Sequence, residues 1–245
     1  MIENISVVIM AKNAEDTIKE CLENLSYFSE VILYLNNSTD KTLHIAKLFK
    51  NVVIIDGDFI GFGPTKNKAA TYAKNSWILS LDSDEILNES LVKEIAEQDY
   101  TDESKIFILN RNNFFLGADT TSKDSIARIY STKHTLFNNN NVHEKVIIKN
   151  DSKKIVLKQS FKHYNIININ QTLTKMIHYT DLGSQDKKMC FFSIVILKAI
   201  FTFFKNYFLK LRILNGWRGF VIAITHANRS FYKYLKQFIN CREEK

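Results

Sequence analysis

The first hundred residues alternate between short apolar runs of strand length and stretches whose apolar residues recur at helical spacing. The apolar runs are Ile5–Met10, Val31–Leu35, Val52–Ile55 and Trp77–Leu81. Helical spacing is clearest at Ile18, Leu22 and Leu25. Strands that are apolar on both faces and alternate with helices are typical of a parallel sheet covered by helices. The pattern therefore predicts an α/β fold.

Polar residues mark where the helices of this half should begin. Asn13, the Asn36–Asp40 turn and Asn88 each precede a stretch of helical period, and we expect them to cap those helices. A further helix is predicted over Thr65–Lys74, after the loop that contains Gly61 and Gly63. That loop lacks the GK[ST] ending of a P-loop, so it indicates either a plain helix entry or a ligand contact.

The second hundred residues predict shorter, more closely spaced strands in antiparallel or mixed pairing. The candidates are Ile106–Leu109, Ile126–Tyr130, Lys145–Ile148 and Ile155–Leu157. From Gln171 onward the pattern is helical. We therefore predict an α/β half over 1–100, a mixed half of the same domain over 101–170, and a helical extension over 171–245.

The helical extension carries the positive charge of the chain. Residues 187–245 contain 12 Lys and Arg against 2 Asp and Glu, which gives +10, so the formal charge of +7 leaves −3 for the other residues. Aromatic residues are interleaved with these bases. This composition fits a helical core, an anionic membrane surface, or nucleic acid; the high apolar content favours the membrane surface and argues against nucleic acid.

The same extension contains a strongly apolar run, Met189–Phe204, which is interrupted by Lys198. It is shorter than the roughly 20 residues of a spanning helix, so we expect it to lie on a membrane and not to cross it. The N-terminus shows no signal peptide pattern. The three cysteines, Cys21, Cys190 and Cys241, are scattered, and this sparse, odd count is typical of a reducing cytoplasm.

Polar clusters follow the predicted parallel strands. They are Lys12–Asn13, Asn36–Asp40, Asp56–Asp58 and Asp82–Glu85. In open α/β sheets, ligands bind beyond the carboxyl ends of the strands. We therefore expect a binding site where these clusters converge.

The most informative cluster is WILSLDSDE, in which a buried strand ends on Asp82, Asp84 and Glu85. Three neighbouring carboxylates repel one another, so a cation should offset their charge. Asp82 and Asp84 form a D-x-D pair, and alternate residues of an extended segment point the same way. Carboxylate oxygens suit Mg²⁺ or Mn²⁺ together with substrate phosphates. The alternative is a solvated turn that caps the next helix.

A second candidate is Val142–Lys145, where His143 and Glu144 supply an imidazole and a carboxylate that could accept a proton. Judged alone, this tetrapeptide is more typical of an exposed turn. His163 is interpreted as a structural hydrogen-bonding residue, and the remaining histidines show no metal-ligand spacing.

Taken in order, these motifs resemble the family 2 glycosyltransferases of the GT-A fold. The resemblance is carried by EVILYLNNSTDKTLHIA, FGPTKNKAA, WILSLDSDE, RNNFFLG, ARIYS, VHEKV and the tail NGWRGFVIAI. It is strongest for the bacterial branch that adds glucose or a similar sugar to the core of lipopolysaccharide or lipooligosaccharide.

The resemblance implies an inverting transfer from a nucleotide sugar, with a UDP-sugar as the expected donor. The donor would be bound by residues at the ends of the first and second strands and near the acidic motif: Ala11, Lys12, Asn13, Asn36, Asn37, Asp40, Lys66 and Asp82. Asp84 would bind the Mg²⁺ or Mn²⁺ directly, with Asp82 on ribose or metal-bound water. Glu144 is the expected base, with His143 as the second choice. Arg128, like Lys66, would contact phosphate or the acceptor.

One departure from the family pattern concerns the donor. The family usually carries Asp at the end of its second strand, where it is expected to read the base of a uridine donor, but this chain has Leu35 there. A leucine cannot accept a hydrogen bond, so a neighbour such as Asn36 takes over, or donor preference differs. The Q-x-x-R-W signature of processive members is also missing, which favours addition of a single sugar.

These observations leave three candidate functions. The first is a cytoplasmic transferase, peripheral on the inner face of the membrane, acting on a lipid-linked glycan. The second is the same enzyme with a protein or peptide acceptor. The third, prompted by Leu35, is a catalytically degenerate relative that only binds glycans.

Overall fold

A parallel four-stranded sheet forms the first half of the chain. The computed structural model describes residues 1–140, 144–166, 168–185 and 188–243. The parallel strands are β1 (Ser6–Ala11), β2 (Val31–Leu35), β3 (Val52–Asp56) and β4 (Trp77–Asp82), in the order β3-β2-β1-β4. Each lies within one residue of its predicted bounds. The helices between and after them are α1 (Ile18–Glu23), α2 (Thr42–Ala46), α3 (Phe62–Ala70) and α4 (Glu89–Ala96).

The carboxyl ends of the parallel strands lie side by side at one edge. Ala11 of β1 is paired with Leu35 of β2, and Leu35 with Asp56 of β3. On the other side of β1, Met10 is paired with Asp82 of β4. This register brings the polar clusters that follow the strands to the same edge, as predicted.

The core of this half lies on the sheet. All five residues of β2 are buried, because β1 and β3 flank it. One buried cluster joins Val8, Ile32, Ile78 and Tyr130 across neighbouring strands. β1 and β2 therefore occupy the covered centre of the sheet, whereas the apolar β3 lies at its edge and is partly exposed.

Four further strands complete an eight-stranded mixed sheet. They are β5 (Glu85–Ile86), β6 (Lys105–Phe115), β7 (Ala118–Ser131) and β8 (Lys153–Ile166), and the full order is β3-β2-β1-β4-β7-β6-β8-β5. β4 pairs antiparallel with β7, and β5 pairs antiparallel with β8, where Glu85 faces His163. The mixed pairing predicted for this region is confirmed.

The prediction of short strands here was wrong. β6 and β7 are long and joined through Leu116 and Gly117, both of which have positive φ. Polar residues continue these strands because their side chains bond across the sheet: Asn110 Nδ2 donates to the Leu157 carbonyl at 2.8 Å, and Asn112 Nδ2 donates to Ser160 Oγ at 2.9 Å. Conversely, Lys145–Ile148 is not a strand; Val146 forms only an isolated bridge to Phe137.

Of the predicted helix caps Asn88 and Asn13, the structure confirms Asn88 but not Asn13. Asn88 caps α4, since its side chain accepts a hydrogen bond from Leu91 N at 2.8 Å. Asn13 does not cap α1, which begins after Thr17. Asn13 instead takes a positive φ of 51° and bonds to the turn after β2. Asparagine tolerates this left-handed conformation better than most residues.

The chain divides into two compact units. Unit 1 comprises Met1–Asn112 and Lys123–His163, and unit 2 comprises Asn113–Ser122 and Tyr164–Lys245. The predicted three-part division at 1–100, 101–170 and 171–245 stays a prediction.

Unit 2 is mostly helical, as expected for the C-terminal extension. Its helices are α5 (Ile169–Ser184), α6 (Phe192–Phe204) and α7 (Gly216–Glu243), with a π-helical turn at Lys205–Leu209 and a 3₁₀ turn at Arg212–Asn215. α6 and α7 form an antiparallel hairpin. Thr202 Oγ1 donates to Ser230 Oγ at 3.2 Å, and the Phe192 and Phe238 rings lie 5.5 Å apart.

Two features of this hairpin were missed by the sequence analysis. Cys190 and Cys241 form a disulfide, with 5.6 Å between their Cα atoms, although their spacing in the chain indicated no pairing. The π-helical turn also extends the apolar helix to 18 residues, Phe192–Leu209. Within the described part of the chain, this one helix is long and apolar enough to cross a membrane, whereas the predicted 16-residue run fell short.

Candidate active site

Protein side chains neutralise Asp82 and Glu85 of the acidic motif. Lys66 Nζ lies 2.8 Å from Asp82 Oδ1, and Arg128 Nη2 lies 2.7 Å from Asp82 Oδ2. Arg128 also forms a short ion pair with Glu85, and Arg111 Nη1 lies 3.3 Å from the same carboxylate. Lysine and arginine side chains therefore offset the repulsion between Asp82 and Glu85.

These ion pairs are largely enclosed. Lys66 and Arg128 are only 2% exposed, and the Glu85 side chain is fully buried. Burial opposes ionisation of Asp82, but Lys66 and Arg128 outweigh it and hold the pKa of Asp82 well below its usual range. Burial raises the pKa of Glu85, helped by repulsion from Asp82 and opposed by Arg128. Asp82 is thus the firmly ionised member of the cluster.

Asp84, the third carboxylate of the motif, lies beside a histidine. Its Oδ2 is 3.7 Å from His163 Nε2, and its side chain is 29% exposed. His163 is brought there by β8, whose pairing with β5 places it opposite Glu85. Sequence reasoning missed this residue, because the pairing joins strands far apart in the chain.

The Asp84 carboxylate and the His163 imidazole suit a divalent cation. Oxygen and imidazole nitrogen are ligands that Mg²⁺ or Mn²⁺ accepts, and substrate phosphates can complete such a site. Among the described residues, no group of three or more His, Cys, Asp and Glu side chains is placed to hold a metal. A cation here would therefore depend on the phosphates of a bound ligand.

Lys66 also connects the acidic motif to Glu144. Its Nζ lies 2.9 Å from Glu144 Oε1, and the Glu144 side chain is 18% exposed. The same ammonium lies 5.2 Å from the centre of the Phe137 ring. Glu144 is therefore part of one charge cluster with Asp82. His143, the second choice for a base, lies outside the described residues.

The start of α3 holds the segment that leads to Glu144. Asn67 Nδ2 donates to the Phe137 carbonyl at 2.9 Å, and the Phe137 amide donates to Asn67 Oδ1 at 2.9 Å. A Cβ on Gly63 would lie 1.8 Å from the Asn138 carbonyl oxygen, so only glycine permits this approach. The GFGPTKN sequence thus forms a helix start that positions Lys66 beside the segment it contacts.

The ends of β1 and β2 form a second cluster of predicted donor-binding residues. Asn13 N donates to Ser38 Oγ at 3.1 Å, and Thr39 N donates to Asn13 Oδ1 at 2.8 Å. Asn36 N donates to the Ala11 carbonyl at 3.1 Å. These bonds lock the two turns together. Lys12 is exposed at the same edge.

Asp40 and Asn36 have distinct roles in this cluster. Asp40 Oδ2 accepts from Glu15 N at 2.9 Å, and its Oδ1 accepts from Thr42 N and Oγ1. Partial burial acts to raise the pKa of Asp40, but the hydrogen bonds from Thr42 and Glu15 outweigh it and lower the pKa. Asn36 is buried, and its Oδ1 has no hydrogen-bond partner among the described residues.

A cleft of about 290 Å³ opens beside the Asn36–Asp40 turn, where Asn37 takes a positive φ of 55°. It is bounded by the ends of β2 and β3 and by α2. The acidic cluster and this cleft lie at the same edge of the sheet, because the register aligns the ends of the parallel strands. The ligand-contact roles assigned to the residues around them stay predictions.

Replacing Arg128 with methionine should destabilise the protein strongly. The change removes the closest cation from the buried Glu85, which keeps Arg111 at 3.3 Å, and removes one partner of Asp82. Breaking a buried ion pair in this way costs about 3–5 kcal/mol. We expect a loss of this size in the free energy of unfolding, measured by urea denaturation.

The matched control for this experiment is Lys133→Met, which removes an exposed ion pair with Glu103 and should cost less than about 1 kcal/mol. The double variant Arg128→Met/Glu85→Gln should lose less than Arg128→Met alone, because no buried charge is left unpaired. Equal losses in the single variant and the control would contradict the role assigned to this ion pair.

Comparison with known proteins identifies the family. The model of glycosyl transferase family 2 matches residues 6–165. A Rickettsia bellii protein described as an uncharacterized glycosyltransferase is 29% identical over 260 residues, covering 96% of this chain and 86% of that protein. A Bacillus spizizenii poly(ribitol-phosphate) beta-glucosyltransferase is 36% identical over 102 residues, or 36% of this chain and 16% of that protein.

Among solved structures, S. aureus TarS 1–349 in complex with UDP-GlcNAc aligns with a TM-score of 0.47 and 15% identity, over 98% of this chain and 92% of that chain. The family match covers well over half of the sequence and includes the β1 and β2 turns, the acidic motif and Glu144. Together with the observed α/β sheet, it confirms the resemblance seen in the sequence. This chain belongs to glycosyltransferase family 2.

Proposed function

We propose that the protein transfers one sugar, with inversion, from a nucleotide-diphosphate sugar to a hydroxyl group of a lipid-linked glycan. The observation that carries this proposal is the charge cluster at the carboxyl edge of the sheet. There Asp84 lies beside His163, and Lys66 joins Asp82 to Glu144. A metal-assisted diphosphate site and a carboxylate base next to each other are what such a transfer needs.

The donor would lie along the edge formed by the strand ends. Ala11, Lys12, Asn13 and the Asn36–Asp40 turn would hold the nucleoside, and the diphosphate would reach towards Asp84. Mg²⁺ or Mn²⁺ would be held by Asp84 and His163 and would supply positive charge that stabilises the departing diphosphate. Asp82, kept ionised by Lys66 and Arg128, would contact ribose or metal-bound water.

Glu144 would act as the base in the transfer. Its carboxylate would take the proton of the acceptor hydroxyl while that oxygen bonds to the anomeric carbon. The bond from this carbon to the diphosphate oxygen breaks on the opposite side, and the bonding electrons leave with the diphosphate, which inverts the configuration. Lys66 would hold Glu144 in place through their ion pair. The remaining requirement is alignment of the acceptor opposite the leaving group.

The sugar is proposed to be a hexose, with glucose as the first choice. The motif order resembles the branch that adds glucose to the core of lipopolysaccharide or lipooligosaccharide. The Bacillus spizizenii relative, whose name specifies beta-glucosyl transfer, supports the same choice over the 102 residues that align. UDP-glucose is therefore the first donor to test.

Replacing Asp84 with alanine should abolish turnover of the donor. Purified protein should release UDP slowly from one UDP-sugar in Mg²⁺ or Mn²⁺, since water can replace the acceptor. The variant should lower this rate about 100-fold or more, because it removes a proposed metal ligand. EDTA should have the same effect on the unchanged protein.

The control for this experiment is Asp151→Ala, at a carboxylate whose side chain is 74% exposed, and it should leave the rate unchanged. UDP release that continues at the full rate both in Asp84→Ala and in the presence of EDTA would exclude the proposed metal-dependent site. If the protein binds a UDP-sugar but releases no UDP, even with a glycan acceptor present, the third candidate, a catalytically degenerate relative, is supported.

Replacing Glu144 with glutamine should lower kcat by about 10²–10⁴-fold, the usual contribution of a general base. The KM for the donor should change little, because the amide keeps the shape of the side chain. Lys145→Gln, at an exposed neighbouring residue, is the matched control. Retention of full kcat by the Glu144 variant would exclude this residue as the base.

The acceptor is proposed to be presented at the inner face of the cytoplasmic membrane, on which residues 187–245 would lie. No Asp or Glu occurs between Lys188 and Arg242. Large apolar side chains on and beside the α6–α7 hairpin are exposed; they include Phe201, Phe204, Phe208, Leu209, Leu214 and Trp217. An apolar surface flanked by positive charge suits an anionic lipid headgroup region.

The bases of the hairpin also lie close enough to repel one another. Burial lowers the pKa of Lys210, and the nearby Arg212, Lys205 and Arg229 lower it further. Burial likewise lowers the pKa of His226 to about 4, with Arg229, Arg212 and Lys210 adding to the shift. Anionic phosphates would relieve this repulsion. In the proposed function, the hairpin would therefore lie against phospholipid headgroups.

The protein should float with vesicles that contain phosphatidylglycerol and not with vesicles of phosphatidylcholine alone. Rising salt should release it, because headgroup attraction is screened. The variant Lys210→Gln/Arg212→Gln should bind about 30-fold more weakly, at roughly 1 kcal/mol for each basic residue. Lys47→Gln/Lys50→Gln, with both changes in unit 1, is the charge-matched control and should bind normally.

Two outcomes of the flotation experiment would contradict the peripheral location. Failure to float with either vesicle would favour a protein or peptide acceptor. Binding that resists both high salt and carbonate washing would indicate that Phe192–Leu209 crosses the bilayer.

A further inference from the structure

The cleft beside the Asn36–Asp40 turn has apolar walls and a single carboxylate. Leu35, Leu43 and Ile54 supply the apolar walls, and Asp56 supplies the carboxylate. Asp56 is the last residue of β3, and the strand register places it directly beside Leu35 of β2. A flat aromatic ring that carries a hydrogen-bond donor suits these surroundings.

Two polar groups of the turn are already used by the protein. Ser38 Oγ accepts from Asn13 N, and Thr39 N donates to Asn13 Oδ1. Asp56 is exposed, and among the described residues its carboxylate forms no hydrogen bond or ion pair. Asp56 is therefore the charged acceptor that the lining of the cleft offers a ligand.

We propose that Asp56 selects the nucleobase of the donor by accepting a hydrogen bond from an N–H group of the base ring. This inference rests on the proposed function, since it assigns the base end of the same nucleotide. Asp56 takes the position beside Leu35 from which a carboxylate can reach a base that Leu35 itself cannot bind.

Charge and distance place the base, not the diphosphate, in this cleft. The Asp56 carboxylate would repel a diphosphate. Asp56 and Asp82 end strands that are three places apart in the sheet, which puts them roughly 14 Å apart at the usual strand spacing. An extended nucleoside diphosphate spans such a distance, with its base at Asp56 and its phosphates near Asp84.

The chemistry of Asp56 distinguishes between bases. Uracil and guanine carry an N–H in the ring on their pairing edge, and guanine adds an amino group beside it. Cytosine and adenine present a lone pair at the corresponding ring nitrogen, which a carboxylate repels, so these bases can donate to Asp56 only from the amino group. Asp56 should therefore favour a uridine or guanosine diphosphate over the cytidine and adenosine compounds.

The test is titration calorimetry of UDP, GDP, CDP and ADP with Mg²⁺ on the full chain. The unchanged protein should bind UDP or GDP at least about tenfold more tightly than CDP and ADP. Asp56→Ala should weaken binding of the favoured nucleotide by about 10- to 100-fold, which is the effect expected for losing a hydrogen bond to a charged group. Binding of CDP and ADP should stay the same or improve, so that the preference disappears.

Two further variants separate base selection from a general loss of binding. Asp58→Ala, two residues along, removes another exposed carboxylate outside the lining of the cleft and should leave the preference intact. Leu35→Asp combined with Asp56→Ala moves the carboxylate across the strand pair and should restore the preference in part.

The outcomes distinguish this inference from the proposed function. If Asp56→Ala keeps the original base preference while Asp84→Ala abolishes UDP release, the inference is wrong and the proposed function stands. If the unchanged protein binds none of the four nucleotides, both are wrong.

Discussion

The pairing of Arg128 and Lys66 with Asp82 and Glu85 is the interaction on which the rest of the site depends. Like-charged carboxylates cannot gather at the end of a buried strand unless cations approach equally closely. Here the cations come from β7 and α3, elements far from the acidic motif in the chain. The ion pairs therefore join the parallel half of the sheet to the strands that follow it.

This pairing separates the carboxylates of the motif by role. Asp82 and Glu85 are bound by the protein's own cations, whereas Asp84 lies next to His163 and is partly exposed. Lys66 extends the same network to Glu144. A site that binds a doubly charged leaving group and also holds a base needs both signs of charge at close range. The described cluster has both, with each buried charge matched by a partner.

The sequence was sufficient to predict the parallel strands, the family and the acidic motif, because each depends on local pattern or residue order. β2 was predicted at its observed bounds since all five residues are apolar. The strand lengths of β6 and β7 were missed, because polar residues such as Asn110 and Asn112 are satisfied only by partners on another strand. His163 beside Asp84 and Cys190 beside Cys241 were missed for the same reason. Pairings set by tertiary structure leave no local periodicity.

The disulfide makes the α6–α7 hairpin a covalently closed loop. The turn between the helices joins them at one end, and the Cys190–Cys241 bond joins them near the other, across 51 residues of sequence. In the chain-entropy treatment, closing a loop of this size stabilises the folded state by about 4 kcal/mol. A reducing cytoplasm would open this bond. Where the bond is intact, α6 stays tied to α7 at both ends, so the two helices meet a bilayer together.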